Sequence, residues 1–130
     1  MTLKKKDLLF PELSYQIVGA CFDAYNEIGS GHKEKYYQKA VAVHLKLRSF
    51  KFKEQASFPI MVKEQAIGNY FFDFVVDDSV VVELKVGRRY RKQDYEQIKR
   101  YLSHSKIGLG LLVRFDESGV TFQRVLRPHP

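Results

Sequence analysis

Three residues near the middle of this 130-residue chain, Asp73, Glu83 and Lys85, have types and spacing suited to phosphoryl chemistry. They lie in the segment from Tyr70 to Lys85, which reads as a β-hairpin with charges set among large apolar residues. Side chains alternate along a strand, so Val80, Val82, Leu84 and Val86 share one face, and Val81, Glu83 and Lys85 share the other. On the preceding strand, Phe71, Asp73 and Val75 share a face by the same rule. A three-residue turn of Asp77, Asp78 and Ser79 would pair Val76 with Val80 and set Asp73 opposite Glu83. Two carboxylates that close repel, and burial makes their charged forms costlier. A hard divalent cation removes both problems, because carboxylates are its natural ligands. The Leu84 carbonyl is a candidate third protein donor. Lys85 beside such a metal could orient a water or stabilise charge on a phosphate. The plain alternative is an exposed Glu–Lys pair on an antiparallel edge. Against it, Val81 shares the face and the flanking residues are large and apolar, so the strand reads as buried on both sides.

The elements that must position these residues are legible in outline. Ser14 could cap a first helix whose apolar stripe is Ile17, Val18, Cys21, Phe22, Tyr25 and Ile28, ended by Gly29 to Gly31. A second helix is expected from Lys33 to Arg48, with Tyr37, Ala40, Val41, His44 and Leu45 inward. Residues 50–58 alternate as a half-exposed strand, and 59–65 form a further strand and turn. After the hairpin, a third helix is expected from Arg91 to His104. Ile107 to Val113 is a buried strand, and Val120 to Leu126 a last strand after a turn. Residues 127–130 should be a loose tail. The order α-α-β-β-β-α-β-β argues for an α/β sandwich around a mixed sheet, in one domain spanning 1–130.

These residues resemble a known family. Asp73 followed by Glu83-Leu84-Lys85 resembles the core of PD-(D/E)xK nucleases. Gly31, Glu34 and Tyr37 match a GxxExxY pattern at all three fixed positions, and Gln97 with Tyr101 is similar to the QxxxY element of RecB-like members. The combination is most similar to the GxxExxY family of the PD-(D/E)xK superfamily, from about Gly29 to Val113. Phe72 stands where the superfamily name has proline. The resemblance implies an α-β-β-β-α-β core with a mixed sheet flanked by helices, and Mg²⁺ or Mn²⁺ as cofactor. It implies Asp73 and Glu83 as metal ligands, Glu34 as an outer acid or further ligand, and Gln97 and Tyr101 as residues positioning a phosphate or the water. Beside it stand bland readings. Tyr37 and Tyr101 fit core aromatics with bonded hydroxyls. Gln97 could join Glu96 and Asp94 on a solvated face. His44 fits a structural role, and His32, His104 and His129 lack zinc spacing.

Charge and composition bear on partners. Lys plus Arg number 22 against 15 acids, a formal charge of +7, which suits a polyanion such as nucleic acid but also a merely soluble basic protein. The run Arg88, Arg89, Tyr90, Arg91, Lys92 directly follows the candidate strand. Its cations oppose the dipole of the helix they precede, which hints at a use in holding phosphates. Tyr90 could stack on an unpaired base and Tyr37 could touch substrate. Lys4 to Lys6 reads as a solvated tail. One cysteine, Cys21, rules out an internal disulfide and fits a reducing cytoplasm. No apolar run nears the ~20 residues of a membrane span, and the N-terminus does not read as a signal peptide. The expected protein is therefore a metal-dependent nuclease cutting phosphodiester bonds of DNA. The rival is a nuclease-fold module that does not cut and binds nucleic acid or a protein partner. A homodimer would help one small site act on two strands, but no interface is visible in the sequence.

Overall fold

A computed structural model describes residues 10–128; Lys4 to Lys6 and His129 lie outside them. Three helices and five strands follow the expected order: α1 (Pro11–Ile28), α2 (Glu34–Leu47), β1 (Phe52–Val62), β2 (Gln65–Val76), β3 (Val80–Val86), α3 (Lys92–Ser103), β4 (Leu109–Asp116) and β5 (Gly119–Leu126). The strands form one sheet in the order β1-β2-β3-β4-β5. Only β3 and β4 run parallel, joined by the α3 crossover; the other neighbours are antiparallel. The fold is α/β, a mixed sheet between helical layers.

Each sheet face has its own core. Helices α1 and α2 cover Phe74, Val76, Val80, Val82 and Leu84 with Ile17, Cys21, Tyr37, Val41 and Leu45. Helix α3 covers the opposite face, where Ile98, Tyr101 and Leu102 meet Phe72, Val75, Val81 and Leu112. Gly110 permits this close approach, because a Cβ there would run into Ile98. Buried between both layers, Val80, Val81 and Val82 are wholly inaccessible, which explains the unbroken apolar run in β3.

Several expectations need correction. Ser14 is inside α1, not its cap: Pro11 occupies the first turn, and the Ser14 hydroxyl donates to the Pro11 carbonyl at 3.2 Å. Residues 52–62 form one strand through Pro59, since β1 is the sheet edge and an edge tolerates a missing donor. Its partner β2 starts at Gln65, after a turn in which Lys63 and Glu64 both have positive φ, 45° and 69°. The β2–β3 turn has the expected three residues, with Val76 paired to Val80. Asp77 and Asp78 accept the left-handed conformation that it requires, and the Ser79 N–H donates to the Val76 carbonyl at 2.9 Å. Phe71, Asp73 and Val75 do not form one alternating face. Phe71 is 56% exposed, and Phe72 joins Val75 in the α3-side core. The alternation therefore breaks at Asp73, next to Gln55 on β1, whose φ is +49°.

Candidate active site

The break at Asp73 builds the site. Paired residues descend the β2–β3 hairpin from Val76–Val80 through Val75–Val81 to Phe74–Val82, and there the regular pairing stops. Side chains then replace backbone acceptors. Asp73 Oδ2 accepts the Leu84 N–H at 2.7 Å, and Glu83 Oε1 accepts the Asp73 N–H at 3.2 Å. The Leu84 N–H and carbonyl point to the same side of β3, so that carbonyl also faces the opened gap. Lys85 Nζ lies 3.4 Å from Glu83 Oε2 and 3.8 Å from Asp94 Oδ1. Asp94 comes from the first turn of α3. Glu34 comes from the first turn of α2, and with Lys85, Arg89, Arg91 and Asp94 it lines a cavity of about 220 Å³.

Electrostatics follow from burial. Asp73 is 8% exposed and the Glu83 side chain 15%. Burial, then the Asp73 charge, raises the Glu83 carboxyl to about 8. Burial also raises Asp73, despite the Leu84 N–H, and raises Glu34, with the Asp73 charge adding to the effect. Burial works against the charge of Lys85, but Glu83, Asp94 and Glu34 outweigh it and raise its proton affinity. Asp73, Glu83, Glu34 and Asp94 thus gather around the single half-buried ammonium of Lys85, with Arg89 and Arg91 at the cavity's edge. Such a donor set fits a hard divalent cation. Among the described residues no three acidic, His or Cys side chains form a ready-made cage. Magnesium needs none, since one or two carboxylates with waters and a substrate phosphate satisfy it.

The outer residues divide. Gln97 lies one turn beyond Asp94 and lines a cavity with it. Tyr101 points into the α3-side core, its ring 4.7 Å from Phe58 and 5.1 Å from Phe72. Tyr37 is 1% exposed, so the expected contact with nucleic acid is wrong; its ring stacks on Phe115 at 4.3 Å and its hydroxyl donates to the Gly29 carbonyl at 2.6 Å. That bond explains the GxxExxY spacing. Gly31 takes a left-handed φ of +88°, the chain turns into α2, Glu34 faces the site, and Tyr37 locks the turn to the core. Tyr90 is not a free stacking surface, because the Arg114 guanidinium covers its ring at 4.8 Å. Arg88 is tied to Glu117, leaving Arg89 and Arg91 at the cavity. Lys92 is exposed at the start of α3.

Two functional neighbours escaped the sequence reading. Asp94 is not on a solvated face; its side chain is 12% exposed and reaches Lys85. Its signal was its place one helical turn before Gln97. Arg114 holds the basic loop by donating to the Gly87 carbonyl at 2.9 Å, and nothing in its spacing marked it. A larger cavity, about 580 Å³, lies elsewhere, against Tyr15, Phe22, Arg48 and Phe122. Phe22, expected inward, is 40% exposed there. Asp23 is the one acid that lines that cavity, whereas Glu34 and Asp94 line the smaller one.

Comparison with known proteins agrees on the fold. A sequence profile of the PD-(D/E)XK nuclease superfamily matches residues 11–125. An alkaline exonuclease, LHK-Exo, from Laribacter hongkongensis has a similar crystal structure, with a TM-score of 0.52 at 12% identity over 98% of this chain and 73% of that one. The crystal structure of SSO0001 gives a TM-score of 0.48 at 14% identity over 92% and 79%. No curated protein sequence matches the chain.

Proposed function

We propose that this chain, which belongs to the PD-(D/E)XK nuclease superfamily, is a nuclease that hydrolyses phosphodiester bonds of DNA with Mg²⁺ or Mn²⁺. The observation that carries the reading is the opened ladder, where the Asp73 and Glu83 carboxylates meet beside Lys85. Asp73 and Glu83 would hold the cation, with the Leu84 carbonyl as a further donor and Glu34 as an outer acid. When bound, the cation supplies a water of lowered pKa and neutralises phosphoryl charge. Lys85 donates to the attacking water or to a non-bridging phosphate oxygen, where negative charge grows. Asp94 and Glu83 hold the ammonium from two sides, so it stays protonated and aimed. Arg89 and Arg91 neutralise neighbouring phosphates, and Gln97 offers an amide to the same strand. No helix among the described residues is long and apolar enough to cross a membrane. A cytoplasmic setting is consistent with the free, buried Cys21.

A second reading has one observation in its favour. Both metal-facing carboxylates already accept backbone N–H groups, so the site is self-consistent as a structural knot in a module that binds without cutting. Purified protein should be titrated with Mg²⁺ and Mn²⁺, then offered single- and double-stranded DNA and RNA. The nuclease reading requires metal-dependent cleavage and a metal-induced rise in melting temperature, lost in Asp73→Asn. Binding with neither effect would establish the second reading.

A further inference from the structure

Three cavities adjoin along one side of α3. The 220 Å³ cavity at Lys85 shares Asp94 with one of about 410 Å³, which in turn shares Ile60, Tyr70 and Arg100 with one of about 550 Å³. Together they form a groove from the candidate site to the tip of the β1–β2 hairpin. Its two walls differ in chemistry. The α3 wall is polar and carries one fixed cation: Gln93, Gln97, Arg100 and His104 recur every three or four residues and so form one stripe, with Asp94 at its active-site end. The hairpin wall is apolar at its far end, where Met61 is 52% and Val62 50% exposed.

We propose that this groove holds a single-stranded segment of nucleic acid and leads it to Lys85; this rests on the nuclease reading and specifies its substrate. A single strand has one line of phosphates and open base faces, and it matches one polar wall that carries Arg100 and one apolar wall. A duplex hides its base faces in the stack and presents phosphates along both edges, so the apolar wall would face charge. The stripe from Gln93 to His104 spans about 17 Å at 1.5 Å per residue. At about 3.4 Å per stacked nucleotide that accommodates about five, and fewer if the strand is stretched. Arg100 takes a phosphate midway. Met61 and Val62 lie under the bases at the far end. Arg89 and Arg91 take the phosphates at the cutting end.

The test uses fluorescent 12-nucleotide DNA and RNA strands and a blunt DNA duplex, measured by anisotropy in EDTA so that nothing is cut. Single strands should bind at least tenfold tighter than the duplex. Met61→Asp with Val62→Asp should weaken single-strand binding about tenfold or more and leave the melting temperature unchanged, since both side chains are exposed. Arg100→Ala should weaken it and lower the salt slope by about one. Preference for DNA, for RNA or for neither sustains the proposal and assigns the sugar. Equal binding of duplex and single strand, or single-strand binding unmoved by both variants, overturns it. Tight groove-dependent binding without cleavage in Mg²⁺ or Mn²⁺ would sink the nuclease reading alone, whereas cleavage of blunt duplex with unmoved groove variants would sink the groove alone.

Discussion

The two halves of the β2–β3 hairpin follow different rules. Near the turn, Phe74, Val75 and Val76 pair with Val82, Val81 and Val80, and every one of these side chains is buried. Farther along, regular pairing gives way to Asp73 and Glu83, each accepting a backbone N–H. The first half is held by apolar burial, which is non-directional and indifferent to pH. The second is held by hydrogen bonds to buried carboxylates that would be less strained with a proton or a cation between them. One hairpin thus carries its stability and its candidate chemistry in separate stretches. Replacing residues in one half should leave the property of the other half in place.

The largest expected effect is on chemistry. Lys85→Ala or Glu83→Gln should lower metal-dependent cleavage by ~10²-fold or more, the scale of a lost charge-stabilising group. Single-turnover rates at saturating metal are the measurement. Lys85→Ala should keep metal binding and Glu83→Gln should lose it, while both keep the fold; a fall of less than twofold would place the chemistry elsewhere.

Next is the apolar half. Phe74→Ala removes a wholly buried ring and should cost ~3–5 kcal/mol in denaturant unfolding. The residual folded protein should still show a metal-induced shift in melting temperature. If the shift disappears with Phe74, the two halves are one cooperative unit and the separation drawn above is wrong.

A third effect is on pH. Glu83 is raised in the folded state to about 8, mainly by burial. A raised carboxyl stabilises the folded protein through its neutral form, fully below its unfolded value and progressively less as pH rises through about 8. Metal-free protein should therefore lose stability by a few kcal/mol between about pH 4.5 and 8. Glu83→Gln should flatten that decline, and Mg²⁺ or Mn²⁺ should offset it most at the alkaline end. Melting curves across this range that are parallel for wild type and variant would mean Glu83 keeps an ordinary carboxyl.

The smallest effect is on the loop that follows the hairpin. Arg89→Ala with Arg91→Ala should reduce nucleic-acid affinity and lower the salt slope by about two, one for each lost phosphate contact. Arg88→Ala should change little, because its partner Glu117 already occupies it at the surface. A larger effect from Arg88 than from the other two would reverse this assignment.

Much of this was set by the residues alone. A run of valines marked β3 as a strand buried on both faces, and the sign and order of Asp73, Glu83 and Lys85 pointed to a cation. The turn of Asp77, Asp78 and Ser79 set the register as far as Phe74 and Val82, beyond which the Asp73 N–H meets the Glu83 carboxylate. The three helices, β3 and the last two strands were legible because apolar periodicity reports which face a segment must bury, whereas the single β1 through Pro59 and the early start of β2 at Gln65 were not. What tertiary structure decided was which groups share that space. Asp94 belongs to a helix that follows the hairpin, and only the β3–α3–β4 crossover, seated on Gly110, brings it to Lys85. Tyr37 could not be assigned to core or surface until its ring met Phe115, which lies 78 residues away. The break at Asp73 was invisible because alternation describes a continuous ladder, whereas a carboxylate that takes a backbone N–H ends one. Hydrogen bonds and ion pairs act over a few ångströms in three dimensions, and spacing along the chain records only those made within one element or across one turn.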